Sequence, residues 1–289
     1  MSSTRGIKQR IDNVRSVEQI IRAMDMVAST KLVRSRAQLE GVRPIYTELK
    51  RISEEVGTLE EAKSNAFYKT REVKNTLYIV ISGNRGLAGA YNANVCRKAL
   101  EHMDGTKNER LVIIGSKGYE YFNRNKKNIV HSIVDISDDQ VYYASEDISK
   151  KAMELYLARE VEEVYIVYTQ FVNVLTNEPV VEKFLPIESS LAPSDVLEKR
   201  YEPDLESFID NLIPLYLHMY LFRAFSESHT SEHAARMVNM DAAGKNASEI
   251  LEDLNRQYNR KRQASITQEL TEIVGSVSVL NKGGADERK

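Results

Sequence analysis

From Leu205 to Leu280 the only proline is Pro214 and the only glycines are Gly244 and Gly275. Across that stretch His233, Met237, Met240, Gly244, Ala247, Leu251, Leu254 and Tyr258 follow one another in steps of four and three. That spacing places them on one stripe of an α-helix. A second set, Ile266, Leu270, Ile273, Val277 and Leu280, repeats the rhythm in a shifted phase. At 1.5 Å per residue a continuous helix over this span is on the order of 110 Å long. No compact domain holds a helix of that length, so it is expected to project and to need a partner along its apolar stripe.

The other end of the chain offers that partner. From Thr4 to Gly57 apolar or small residues recur at Ile7, Ile11, Val14, Ile21, Met24, Ala28 and Leu32. Ile7, Val14, Ile21 and Ala28 are spaced by seven, the recurrence that makes paired helices supercoil. Ala28, Gly244 and Ala247 on the candidate seams permit close approach. Pro44 is expected to kink or end the first helix near Arg43, because proline lacks the N–H and crowds the preceding turn. The first fifty residues hold ten Lys or Arg against five Asp or Glu, so this arm is locally basic.

Between the arms the pattern turns to short strands and helices. Strands are expected at Thr76–Ser82, Leu111–Gly115, Ile129–Val134, Val164–Tyr168 and Val180–Leu185, with helices at Ala93–Met103, Tyr119–Asn125 and Tyr142–Arg159. Alternation of this kind favours parallel βαβ units in a Rossmann-like layering. Pro179, Pro186, Pro193 and Pro203 read as irregular connection. The resulting fold class is α/β. An N-terminal coiled-coil helix (1–57) and a C-terminal one (205–280) form a long antiparallel pair. A Rossmann-like middle domain occupies 74–190, and a frayed, solvated tail 281–289.

Charge and cysteine content exclude several roles. Lys plus Arg number 40 and Asp plus Glu 42, a net charge of −2, without the basic field of a general nucleic-acid binder. The single cysteine, Cys96, excludes an internal disulfide framework and a cysteine-built zinc site. No run approaches the ~18 apolar residues of a membrane helix, and the N-terminus has no secretory signal. A soluble intracellular protein is expected.

Four features bear on chemistry. Gly83-Asn-Arg85-Gly86-Leu-Ala-Gly89-Ala-Tyr-Asn92 follows a strand directly, and such turns cradle phosphate through backbone N–H groups. Its G-x-x-G-x-x-G spacing matches neither the dinucleotide fingerprint nor a P-loop, which favours a structural turn or a protein contact. Arg256, Arg260, Lys261 and Arg262 lie in a stretch, Leu254–Gln268, without an acid. They read as a solvated face, or as a surface for an acidic partner. Of His102, His131, His218, His229 and His233, only the last two have i, i+4 spacing, and Glu232 is misplaced for H-E-x-x-H zinc binding. No nucleophile, base and oxyanion device assembles, and Asp135, Asp138 and Asp139 read as loop acids. The residues describe an interaction or mechanical protein. A nucleotide-binding enzyme and a free coiled-coil adaptor are the rivals.

Four segments together resemble the gamma subunit family of the rotary F-type ATP synthase. They are Arg262-Gln263 with Ala264–Val274, Ser231–Met237, Ile21–Lys31 and Ile81–Asn92. The resemblance implies a central rotor shaft inside a ring of three alpha and three beta subunits. Its foot would rest beside the epsilon subunit on the c-subunit ring and couple ion flow to ATP synthesis or hydrolysis. Catalysis would lie on beta, with no cofactor, metal, nucleic acid or direct nucleotide binding here. Met24, Lys31 and Arg236 match positions near the mobile lobes of beta; Arg262, Gln263, Thr267 and Glu269 match contacts with a beta loop; Tyr201 and Glu202 match the part of the foot facing the c ring. Gly83, Arg85, Gly86 and Gly89 match the family's turn. Ala88, Ala90 and Asp241 stand where the family often has Cys, Gly and Lys. Without the chloroplast form's cysteine-bearing insertion or a transit peptide, the resemblance implies a bacterial protein peripheral to the cytoplasmic face of the cell membrane.

Overall fold

The computed structural model describes residues 4–103, 105, 107–137, 140–188, 201–202 and 204–286, with side chains through Val274. Asp138, Asp139, Pro193 and Pro203 lie outside the described residues, as do the side chains of Val277 and Leu280. The elements run α1 (Thr4–Gly57), α2 (Glu60–Lys63), β1 (Asn75–Ile81), α3 (Tyr91–His102), β2 (Asn108–Ile114), α4 (Ser116–Arg124), β3 (Ile129–Ile133), α5 (Val141–Leu157), β4 (Glu163–Phe171), β5 (Asn177–Leu185) and α6 (Leu205–Asp286). Two compact units result: Met1–Asp25 with Met240–Lys289, and Met26–Asn239.

In the first unit α1 and α6 pack antiparallel. Ile7 and Ile11 bury against Leu254, with Val14, Leu251 and Tyr258 at the margins. Ser248 donates to Glu18 at 2.8 Å. A Cβ on Gly244 would stand 3.7 Å from Ile21, so alanine would also fit there. Pairing numbers rise on one helix as they fall on the other. Met24, expected on the buried stripe, is instead 40% exposed, on the flank of the seam that Ile21 makes with Gly244.

The second unit is built on a five-stranded sheet of order β3-β2-β1-β4-β5. Leu77, Ile79 and Ile81 of β1 face one side, where they join Ala152 and Tyr156 of α5, Val42 and Tyr46 of α1, and Ile213, Leu217 and Phe225 of α6. Tyr78 and Val80 face the other, against Val95, Cys96 and Ala99 of α3 and Phe122 of α4. That alternation is the period-two pattern of a strand covered on both faces. From Tyr216 to Ser228 every residue of α6 is buried. A helix apolar around its whole circumference is one that goes into a core. The portions of α1 and α6 from 26–57 and 205–239 therefore share a core with the sheet, a grouping different from the expected separation of arms and middle.

Three expectations need correction. Helix α1 does not end near Arg43; Pro44 lies inside it. The ring is exposed while Val42 and Tyr46 on either side are buried, so packing holds the helix through the missing N–H. Strand β5 runs antiparallel to β4, with Thr169 paired to Pro179, while the other pairings are parallel. Only residues 172–176 connect them, too few for a crossover, which takes a dozen or more. Pro179 is thus strand rather than loop, tolerated because β5 is an edge. Finally, α6 continues helically to Asp286, past Leu280 and into the expected tail; 287–289 lie outside the described residues.

Candidate functional site

The strand order reverses between β1 and β4. In doubly wound sheets ligands bind beyond the carboxyl ends of the strands at such a point. Here the glycine turn leaves β1 at that place, and α6 fills the crevice. Tyr91 Oη donates to the Ser228 carbonyl at 3.0 Å, and Ser228 Oγ accepts from Thr169 N–H at 3.1 Å. Ser231 Oγ donates to the Thr169 carbonyl at 3.3 Å, while the Phe171 N–H points to Glu227 Oε2 at 3.4 Å. A Cβ added to Gly83 would lie 2.8 Å from the Glu232 carboxylate. Burial, and then the Glu232 charge, push the Tyr91 phenol well above its ordinary range, so it stays a neutral donor.

The turn's own polar groups are occupied as well. Gly83 N–H donates to Asn92 Oδ1 at 2.8 Å, and Asn92 Nδ2 donates to the Arg85 carbonyl at 3.3 Å. Asn84 Oδ1 accepts from the N–H groups of Ser116 and Asp135, each at 3.1 Å. Gly89 has φ of +58°, where a Cβ is costly. Arg236 donates to Glu232 and to the Gly86 carbonyl. The Glu232 carboxylate packed against Gly83, and a Gly83 N–H already bonded to Asn92, make this turn a latch between β1 and α6.

Sequence reasoning did not find the α6 side of this latch. Glu227, Ser228, Thr230, Ser231, Glu232 and His233 are all buried. A run this polar reads locally as a solvated face, and only the packing of α6 on the sheet buries it. It bonds strand ends that would otherwise lack partners. His229 and His233 do come together, with ring centroids 6.3 Å apart, but Arg236 Nη1 lies 3.4 Å from His233 Nδ1. A guanidinium there opposes a metal cation.

The other singled-out residues divide. Lys31 is half-buried next to Leu32, which clusters with Leu39, Phe171 and Ala234 in the second unit. Arg236, in the same unit, is engaged within the chain. Tyr201 packs inward, its ring 5.1 Å from Phe208, and Glu202 is exposed. In the first unit, Arg262, Gln263, Thr267 and Glu269 are exposed, as are Arg256, Arg260 and Lys261. Thr267 donates its hydroxyl back to the Gln263 carbonyl at 2.9 Å. Among the described residues, Ile7 and Ile11 of α1 pack beside Leu254 and Tyr258, and the hydrophobic clusters reach no further along α6 than Tyr258. Further along, Ile266, Leu270, Ile273 and Val274 are 48%, 58%, 59% and 68% exposed. A row of exposed apolar side chains on one helix is the mark of an interaction surface.

Residues 3–280 match the model of a protein family described as ATP synthase. The ATP synthase gamma chain of Desulforamulus reducens is 36% identical over 282 residues, covering 97% of this chain and 100% of that one. That of Ruminiclostridium cellulolyticum is 39% identical over 293 residues, covering 96% and 99%. Among solved structures, a chain of the Euglena gracilis mitochondrial ATP synthase (OSCP/F1/c-ring) superposes with a TM-score of 0.69 at 17% identity, covering 97% of this chain and 95% of that one. At that identity the likeness is one of fold.

Proposed function

The chain belongs to the ATP synthase gamma-chain family, and from that premise we propose that it is the central rotor shaft of a bacterial ATP synthase. In this reading it stands in a ring of three alpha and three beta subunits, contacts the epsilon subunit and rests on the c-subunit ring. It is peripheral to the cytoplasmic face of the membrane; no helix among the described residues is long and apolar enough to cross one. The observation that carries the reading is the apolar stripe of α6 that stands exposed at Ile266 and Leu270. A free coiled-coil adaptor has no use for such a surface, whereas a shaft seated in a ring buries it.

The chain itself is non-catalytic and binds no nucleotide directly. Support comes from the crevice at β1 and β4, where Glu232 and Ser228 stand in place of a ligand. Work is transmitted by contact. Each face of an asymmetric shaft favours one conformation of the neighbouring beta subunit, and nucleotide affinity follows that population. The exposed Arg262, Gln263, Thr267 and Glu269 are the assigned contacts with beta on α6. Met24 and Lys31 are assigned on α1, and Arg236 beside the glycine turn. Arg256, Arg260, Lys261 and Arg262 supply charge for register against acidic lobes. Tyr201 and Glu202 are assigned to the foot's contact with the c ring. The choice of coupling ion belongs to that ring.

Co-expression with its organism's alpha and beta subunits tests the assignment. One copy per six-subunit ring, with ATPase activity that depends on its presence, is the expected result. A chain that stays out of the ring would sink the proposal and return attention to the Gly83–Gly89 turn.

A further inference from the structure

The second unit contains a charged cluster that the glycine turn and the assigned contacts leave unused. Arg223 of α6 is 6% exposed. Its Nη2 donates to Glu182 Oε2 of β5 at 2.7 Å, and its Nη1 lies 3.4 Å from Glu227 Oε1, one helical turn away. The guanidinium carbon is 4.3 Å from the ring centroid of Tyr46 on α1, 5.2 Å from that of Tyr220 and 5.3 Å from that of Tyr168 on β4. Glu182 also accepts from Tyr168 Oη at 3.0 Å and Tyr220 Oη at 2.8 Å. Glu227 receives Arg43 Nε at 3.4 Å, and Arg43 Nη2 donates to the Phe171 carbonyl at 2.8 Å. Residues from α1, β4, β5 and α6 thus meet on two guanidinium and two carboxylate groups.

Stability alone does not explain this arrangement. Burying ions has a desolvation cost that apolar side chains of the same size avoid, and Arg223 Nε is buried without a hydrogen-bond partner. What the cluster supplies is a fixed geometry. Apolar faces pack acceptably at several relative angles, whereas a planar guanidinium bonded to two acids and stacked on aromatic rings has one. The need is greatest at β5, an edge strand whose residues before Phe184 are half-buried or exposed. We propose that the Arg223 cluster is a torsional lock that fixes the sheet against the α1–α6 pair, so that twist applied to the sheet reaches the helices without angular loss. The residues are positioning residues, and the inference rests on the rotor reading.

The test uses the assembled alpha, beta and epsilon complex, held to a surface through beta and stalled without nucleotide. A probe on a His131→Cys chain, at the exposed edge strand β3, reports angular fluctuation of the sheet; Cys96 is buried and does not compete for label. Angular variance scales inversely with torsional stiffness. With the fork geometry lost it should rise about twofold or more for Arg223→Met combined with Glu182→Gln, and less for Arg223→Lys. Arg51→Ala, which removes an exposed pairing with Glu48 and Glu55, should leave it unchanged. A change in melting temperature with unchanged variance would overturn the lock and leave a merely structural cluster. So would an equal rise in Arg51→Ala. Should the Arg223 variants fail to assemble, Tyr46→Leu removes one stacked face and is read the same way. Failure of the unaltered chain to join the ring is a different result and refutes the rotor reading itself.

Discussion

Gly86 and Gly89 lie three residues apart in one turn and should respond oppositely to alanine. At Gly89 the backbone is at φ +58°, and a Cβ would come within 2.7 Å of the Asn239 side chain. Asn239 is exposed and can swing aside, so the lasting cost is the left-handed backbone, roughly 1–2 kcal/mol. At Gly86 nothing lies within 4 Å, so Gly86→Ala should stay within about 0.5 kcal/mol. Denaturation midpoints of the two variants check this; equal midpoints would mean the turn is not held as described. The glycine spacing could be read from the chain, and so could the absence of a standard phosphate motif. Glu232 beside Gly83 could not, because they are 149 positions apart and only the packing of α6 on the sheet brings them together.

At the scale of elements, α1 and α6 each contain a feature open to test. Pro44 costs α1 one hydrogen bond and crowds the Glu40 carbonyl. Pro44→Ala should therefore stabilise, by up to about 3 kcal/mol, with a raised thermal midpoint. A lowered midpoint would show that the ring is needed where it is. Helix α6 opens at Asp204, whose carboxylate accepts from the Ser207 N–H at 2.8 Å and the Ser207 hydroxyl at 3.0 Å. These bonds, the backbone one foremost, hold the Asp204 carboxyl below its usual range. A depressed folded value means the cap contributes above the unfolded value, near pH 3.9, and is lost as pH falls through the lower folded one. Hydrogen exchange in the first turn of α6 should accelerate over that window. Asp204→Asn, which caps without titrating, should abolish the pH dependence; an unaltered profile in that variant would exclude the cap as its origin. The existence of both long helices followed from periodicity. The passage through Pro44 did not, since local propensity carries no information about Val42 and Tyr46 being gripped by a core.

For the whole molecule, the prediction concerns the exposed turns of α6. Arg262→Ala combined with Gln263→Ala removes a charge and an amide from an exposed surface of α6. The variant should fold and assemble, while ATPase turnover of the complex falls by about tenfold if one or two charge-assisted hydrogen bonds are lost from the working contact. Assembly with undiminished turnover would remove these residues from the torque-bearing set. The Arg223 lock makes the complementary claim for the sheet-bearing unit, and the two variants should affect turnover and stiffness separately.

By itself the sequence determined the two helices, their antiparallel pairing and the strand positions, because hydrophobic periodicity is a local property that survives without knowledge of the fold. The seam at Ile7, Ile11, Leu254 and Gly244 was legible for that reason, and so was the apolar continuation at Ile266, Leu270 and Ile273. The tertiary structure decided the rest. It turned β5 antiparallel through a connection too short for a crossover. It set polar residues of α6, from Glu227 to Glu232, across the strand ends, and gathered Arg43, Glu182, Arg223 and Glu227 from three separate regions of the chain. Burial converts such residues from solvated surface into fixed partners, and burial is a property of the assembled fold rather than of any window of sequence.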